Sequence, residues 1–459
     1  MANTRLTRTV GTPTLNTKYT FSFWVKRALL TYSDAFMVDG RVDANNRFKI
    51  AFQSADKLEI FNSNGGSNTF KIDTNRQFRD TSAWYHIVLA VDTTDGTAGD
   101  RVKLYINGSR ETSFASETTP SSSDANNVIN ESGATISIGA YYNNTYGYEG
   151  IISHFHFVDG TAYAPTVFGS TDATTGEWKI NTSPSVTYGN NGFFILKDGN
   201  SVTDQSGNSN NFTVANGTLT NTEDCPSNVF AVFNRVDRHP GTTNNYGDYL
   251  SRGNTKITIA SAQKGCLRST IGVTSGKYYW EAKVISKSKG FYGVCNSKAF
   301  DTSSASIQAS THYSGLWYYE NGPSYYTYNN NTNTTSIDSV ANNDILCFAL
   351  DMDNYAFYIR KNDSAWMNSG DPSSGSSRTG SIAELFTYGR NVLTDFGEVF
   401  INHYNDSGSG GSTVEYNFGN GYFGTTAITS EGTNASGIGK FEFNVPANYT
   451  SLSTKGLNL

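Results

Sequence analysis

The feature that most limits what this chain can fold into is a two-residue alternation of apolar and polar side chains, carried by runs of strand length. In GKYYWEAKV (276–284), Tyr278, Trp280, Ala282 and Val284 fall on one parity, and Lys277, Tyr279, Glu281 and Lys283 fall on the other. In NDILCFALDMDNYAFYIRKN (343–362), Leu346, Phe348 and Leu350 alternate up to the acidic DMDN, and Tyr355, Phe357 and Ile359 alternate away from it. That pattern reads as a β-hairpin with DMDN at its tip. No long window shows helical periodicity, and SIAELF (381–386) has room for a turn or two at most. The expected fold class is all-β, with two antiparallel β-sandwiches joined by an ordered connector.

The first sandwich is read from FSFWVKR (21–27), RFKIAF (47–52), KLEIF (57–61), WYHIVLAVD (84–92), VKLYING (102–108) and ISIGA (136–140), separated by polar turns such as SNGG and DGTAGD. Tyr85, Ile87, Leu89 and Val91 form one inward face, and Val102, Leu104 and Ile106 another. The supply of 28 Tyr and 28 Phe in a chain only 16% charged suits such strands. From about residue 161 the texture shifts to Pro, Gly, Asn and Thr with isolated rings such as Phe168 and Trp178, which reads as a connector packed by aromatics. Strand patterns resume near 229. The expected boundaries are 1–168, a connector at 169–228, a second sandwich at 229–425, and a polar tail with a few apolar anchors at 426–459.

Two family likenesses are carried by these residues. FSFWVKR, WYHIVLAVD, VKLYINGS, ISIGA and GIISHFHFVDGTAYAPTVFG resemble a laminin-G-like, concanavalin-type jelly roll of the kind seen in marine bacteriophage structural proteins. GKYYWEAKV, GFYGVCN, GLWYYENG, the 343–362 hairpin and VEYNFGNG resemble a SPRY domain, itself a β-sandwich, and DQSGNSNNFTV with CPSNVFAVFN resembles the joining stretch of such phage proteins. The resemblance implies a virion protein of the tail-fibre, spike or capsid-decoration sort. The absence of heptads or a long repetitive shaft favours a compact appendage.

Several function classes lose support. A net charge of −6 without any basic block argues against nucleic acid. MANTRLTRTVGTP has no apolar stretch behind its arginines, and no window is long and apolar enough for a bilayer, so a soluble protein made in a cytoplasm is expected. Cys225, Cys266, Cys295 and Cys347 are widely spaced, and Cys295 and Cys347 read as small buried hydrophobes. Asp351 and Asp353 have the spacing of a carboxylate pair, but in a hairpin turn backbone chemistry is the favoured reading. The ExDxxE pattern of jelly-roll glucanases and the glycine-flanked serine of esterases are both missing. The expectation is that the protein is not an enzyme.

The candidate sites that remain are loops. Asp92, Asp95 and Asp100 crowd one loop, and Asp204 with Asn208 another; no cofactor is required, and calcium is the cation such loops could take, although acids facing water are the commoner outcome. His154 and His156 share a strand parity that two imidazole ligands could use, with structural roles favoured. The preferred ligand-binding residues are tyrosines and a tryptophan in polar, Asn-rich stretches: Tyr141, Tyr142, Tyr146 and Tyr148 in one, and Trp317, Tyr318, Tyr319, Tyr325, Tyr326 and Tyr328 in the other. The same rings serve equally for subunit packing, slightly favoured for the set as a whole. Parity places Trp280 in a core, leaves Tyr279 partly exposed, and sets Trp24 on an outer face. The functional expectation is a homo-oligomeric virion surface protein, a trimer in the simplest form, whose partners are other virion proteins and host-surface glycan. A purely architectural role and a polysaccharide depolymerase are the alternatives.

Overall fold

A computed structural model describes residues 3–197, 201–237, 249–260, 265–297, 313–318, 324–328, 331–337, 339–382, 398–405 and 410–458. The chain divides into two compact units, Met1–Thr220 and Asn221–Leu459. Among the described residues both are built of strands, with 3-10 turns the only helical pieces. The fold is all-β.

In the first unit the described strands form an eight-stranded and a six-stranded sheet. Their inward parities supply one core: Tyr19, Phe21, Phe23 and Val25 from Lys18–Arg27, Ile87, Leu89 and Val91 from Trp84–Asp92, and Phe48, Ile50 and Phe52 from Arg47–Phe52. Tyr85 packs against the same core from its edge. Most of the stretch read as a connector is built into this unit. Phe193–Ile195 pairs with Gly150–Asp159, and Thr213–Asn216 pairs with Arg5–Thr9. The reason is apolar: Phe193, Ile195 and Phe212 complete the core.

That same stretch covers the outer face of the six-stranded sheet, which corrects the reading of Trp24. Trp24 is 4% exposed and stacks on His86 at 4.6 Å, and His86 stacks in turn on Trp178 at 6.0 Å. Trp178 Nε1–H donates to His86 Nδ1 at 2.9 Å, so the ring proton sits on Nε2 and is donated to Ser22 Oγ at 2.8 Å. Gly108, at φ +78°, makes room for the indole, since a Cβ there would lie 2.4 Å from the Trp178 ring. Burial holds His86 down to about 3, hence neutral.

In the second unit the described strands form a seven-stranded and a six-stranded sheet. Tyr278, Trp280, Ala282 and Val284 enter the core with Leu346, Phe348, Leu350, Phe357 and Ile359, as alternation requires. Ile345–Asp351 and Ala356–Lys361 pair as the expected hairpin. The free thiols of Cys266, Cys295 and Cys347 are buried, and Cys225 is half-buried. Of SIAELF only Ser381 and Ile382 belong to the described residues.

The outward parity behaves differently from expectation. Tyr279 is fully buried, packed with Cys347, Tyr358, Phe423, Phe441, Val445 and Tyr449. The stretch read as a polar tail crosses this face, and Thr450–Ser451 adds to Lys277–Ser286 as a parallel strand. Alternation identifies two faces of a strand; it does not say that something distant in sequence will cover the second one.

Candidate functional site

One outer face in the first unit is lined by charged side chains and rings. Ala35–Arg41 lies between Thr135–Ile138 and Arg47–Phe52, with Lys57–Asn64 beyond. Because Val38, Phe48, Ile50 and Ile60 point into the core, the intervening residues point out. Two rows result. Ser137, Asp39, Lys49, Phe61 and Lys71 stand opposite one another in sequence of strands, and beside them Thr135, Arg41, Arg47 and Ser63.

The loop 141–148 is fixed to this face. It leaves Ile138 through Gly139, at φ +91°, where a Cβ would lie 2.7 Å from the Thr4 carbonyl oxygen. Tyr141 N–H donates to the Thr145 carbonyl, Phe36 N–H to the Tyr146 carbonyl, and Tyr142 N–H to Asp39 Oδ2 at 3.1 Å. The Arg41 guanidinium lies 4.0 Å from the Tyr142 ring centre and 4.9 Å from that of Tyr141, and donates to the Tyr141 hydroxyl. Arg47 sits 5.4 Å from Tyr141 and 5.6 Å from Phe61. Such contacts hold each cation over an electron-rich ring face. Tyr142 and Tyr146 remain 46% and 42% exposed.

The polar atoms beneath the loop are incompletely matched. Asp39 is 1% exposed, yet its Oδ1 has no hydrogen-bond partner among the described residues, and the same holds for the buried Nε of Arg41 and of Arg47. The nearest ion-pair contact, Arg41 Nε to Asp39 Oδ2, is 4.0 Å long. Burial raises the Asp39 carboxyl to about 6, against the opposing pull of Arg41, Arg47, the Tyr142 amide and Arg5. In contrast, Lys49 is held by Glu59 and Asp34, and Lys71 by Glu59 and Asp73. Chemically, the arrangement offers flat rings, guanidinium donors and an under-used carboxylate side by side.

The other candidates fall out as follows. Tyr141, Tyr142 and Tyr146 belong to this face, but Tyr148 donates its hydroxyl to the Lys26 carbonyl at 2.8 Å and packs against the core, which makes it structural. Trp317 and Tyr318 lie in the strand Tyr313–Tyr318, and Tyr325, Tyr326 and Tyr328 in the neighbouring Ser324–Tyr328. Tyr319 lies outside the described residues. Asp92 is paired with Lys18 at 2.9 Å, Asp95 with Lys103 at 3.4 Å, and Asp100 with Arg110 at 2.7 Å. Asp204 accepts from the amides of Phe194, Ser206 and Asn210. Among the described residues no group of three or more His, Cys, Asp or Glu side chains is placed to hold a metal ion.

His154 and His156 flank a bulge, with His154 at φ +48°, and are tied to the hydroxyls of Ser153 and Tyr188. Asp351 pairs with Lys277 and accepts from Asn354, while Asp353 accepts from Gly276 N–H. Both are turn chemistry. Asp39, Arg41 and Arg47 were not singled out from sequence. The available signal was their parity: in VDGR and RFKIAF, charges alternate with residues that must face a core.

Residues 4–168 match the family model Laminin_G_3, described as the concanavalin A-like lectin/glucanases superfamily. The first sandwich is laminin-G-like. Its match covers the whole of the candidate face. No curated protein matches the chain. Similar solved structures include a native heptameric SAP-like pentraxin from Limulus polyphemus, at 17% identity over 35% of this chain and 72% of that one, TM-score 0.27. The SPRY domain of human HERC1 is similar at 16% identity over 43% of this chain and 99% of that one, TM-score 0.26. Domain 4 of AbnA, a GH43 extracellular arabinanase from Geobacillus stearothermophilus in complex with arabinotriose, is similar at 21% identity over 33% and 64%, TM-score 0.25. At these scores they bear on neither ligand nor assembly.

Proposed function

We propose that the protein is a non-enzymatic surface component of a bacteriophage virion, a compact tail appendage or capsid decoration, that holds host-surface glycan through the face beneath the 141–148 loop. The observation that carries the glycan part is the cluster of Tyr141, Tyr142, Arg41, Arg47 and Asp39, where the exposed Tyr142 ring and the half-buried Tyr141 ring adjoin two guanidiniums. Sugars need both: a ring face to lie on an aromatic and hydroxyls to exchange hydrogen bonds. The concanavalin-type match supports the glycan part, and the virion setting rests on the resemblance of the sequence motifs to phage structural proteins. A shallow site of this kind binds weakly, so the protein acts as a homo-oligomer, a trimer in the simplest form, displayed in many copies that raise effective concentration.

The test is retention of the full chain on an array of bacterial surface glycans, beside the Tyr142→Ala variant. Retention lost in the variant supports the reading. No retention, with virions lacking the protein falling apart, gives the architectural role, and release of reducing ends from a host polysaccharide gives the depolymerase.

A further inference from the structure

We propose that the glycan held on this face is acidic, with a sugar carboxylate or sulfate seated between Arg41 and Arg47. This deepens the glycan reading and rests on it.

Arg41 and Arg47 are direct cross-strand partners on one face of one sheet. Like charges placed directly opposite destabilise a strand pair, so sequences usually set an opposite charge there. Here both guanidiniums instead flank the single ring of Tyr141, at 4.9 and 5.4 Å, with the outer sides bounded by Tyr142 and Phe61. The rings hold the two cations in place without neutralising them. The neighbouring carboxylates are otherwise engaged: Glu59 and Asp34 serve Lys49, and Glu59 and Asp73 serve Lys71. Two acids stand beside the pair: Asp39, whose closest contact with Arg41 is 4.0 Å, and Asp43, whose carboxylate accepts from Asn45 and Asn46 and whose backbone carbonyl accepts from Arg41. A third cation, Arg5, is turned to Asn144 and Ser137 and adds to the positive field around Asp39.

Positive charge is therefore concentrated at the Arg41–Arg47 pair, within a protein whose net charge is −6. Planar guanidiniums match the geometry of carboxylate and sulfate oxygens and bind them in pairs. An acidic sugar satisfies every element at once. Its anion is shared by Arg41 and Arg47, and its ring lies on the exposed face of Tyr142.

The experiment immobilises the full chain and measures binding of three oligosaccharides of equal length: an oligogalacturonate, a sulfated galactan fragment and a neutral galactan fragment. Either acidic probe binding at least about tenfold tighter than the neutral one supports the proposal, and which of the two does so names carboxylate or sulfate as the source. Arg47→Gln should remove most of that difference. Arg47→Lys, which keeps the charge but not the fork, should fall between and serves if the Gln variant is unstable. Arg110→Gln, an arginine paired with Asp100 in the other sheet, should leave it unchanged. Equal binding of neutral and acidic probes, or equal losses from Arg47→Gln and Arg110→Gln, overturns the acidic assignment while leaving the glycan reading standing. No binding by any probe, together with no retention on the glycan array, overturns both.

Discussion

Glu281 and Asp39 are both carboxylates with almost no exposure, one on a strand of each unit, and their surroundings treat them in opposite ways. Glu281 accepts from four donors: the amides of Glu442 and Phe443, the Asn417 side chain and the Tyr279 hydroxyl. Burial still raises it to about 7. Asp39 accepts one backbone amide and leaves Oδ1 unmatched. A buried carboxylate with its oxygens filled fastens one segment to another, here the C-terminal stretch to the strand Lys277–Ser286. One with an unmatched oxygen, beside the equally unmatched Nε of Arg41 and of Arg47, costs the fold stability.

Replacing each carboxylate should break or confirm that contrast with the largest effect. Glu281→Leu strands four donors in an apolar setting and should cost about 3–5 kcal/mol, read by denaturant unfolding of the full chain. Asp39→Asn keeps an oxygen for Tyr142 N–H and should change stability by less than about 1 kcal/mol. Comparable losses at the two positions would end the distinction.

Acid should separate the units next. Histidines held neutral by burial bind fewer protons folded than unfolded below about 6.5, so they lend stability above that value and lose it as pH falls. His86, held to about 3, and His156, held well below its ordinary value, act this way in the first unit, and His403, held to about 3, in the second. Raised carboxyls act in the opposite sense, because the folded state keeps a proton the unfolded state has released. Asp39 does so up to about 6 and Glu281 up to about 7. Between pH 4.5 and 6, two histidines against one carboxyl leave the first unit losing up to about 1.4 kcal/mol per pH unit on acidification, while one against one leaves the second nearly level. Hydrogen exchange, which reads each unit separately in the intact chain, should show protection falling first in residues 3–220.

A smaller effect tests exposure. Tyr142→Ala should shift stability by no more than about 0.5 kcal/mol, since the ring is 46% exposed, while weakening glycan retention about tenfold. A large stability loss would make Tyr142 a packing residue, as Tyr279 is in the other unit.

Much of the fold was legible because a strand's inward parity is written locally: Trp280 and Phe348 could be placed from their neighbours in sequence. The outward parity was not, because what covers it arrives from far along the chain. His86, the stacking partner of Trp24, is covered by Trp178, and Tyr279 is covered by Phe441; both covering rings sit in Gly-, Asn- and Thr-rich stretches with no period of their own. The same limit applies to the candidate face. Tyr141, Tyr142 and Tyr146 stand out by composition, but the Arg41–Arg47 pairing depends on strand register, which joins residues that sequence lists apart. Asp92, Asp95 and Asp100 are close in sequence, but which cations they meet, Lys18 for the first and Lys103 shared by the other two with Arg110 added at Asp100, depends on pairing across the sheet.

The smallest expected effect concerns those three acids. A hard cation needs six or more oxygens converging on one point, and a carboxylate already pointed at a lysine or arginine contributes only if that pair breaks. Asp92 would have to leave Lys18, Asp95 would have to leave Lys103, and Asp100 would have to leave both Lys103 and Arg110. Half-exposed ion pairs of this kind hold weakly, so the obstacle is less their strength than the repulsion between an incoming cation and the cations already present. Adding millimolar calcium, or removing it with a chelator, should move the unfolding midpoint of the full chain by less than about 1 °C, since a ligand that does not bind the folded state cannot shift its equilibrium. A rise of several degrees on adding calcium, abolished by Asp95→Asn, would restore these loops as a metal site and give the first unit a second point of contact for ligands, away from Arg41 and Arg47.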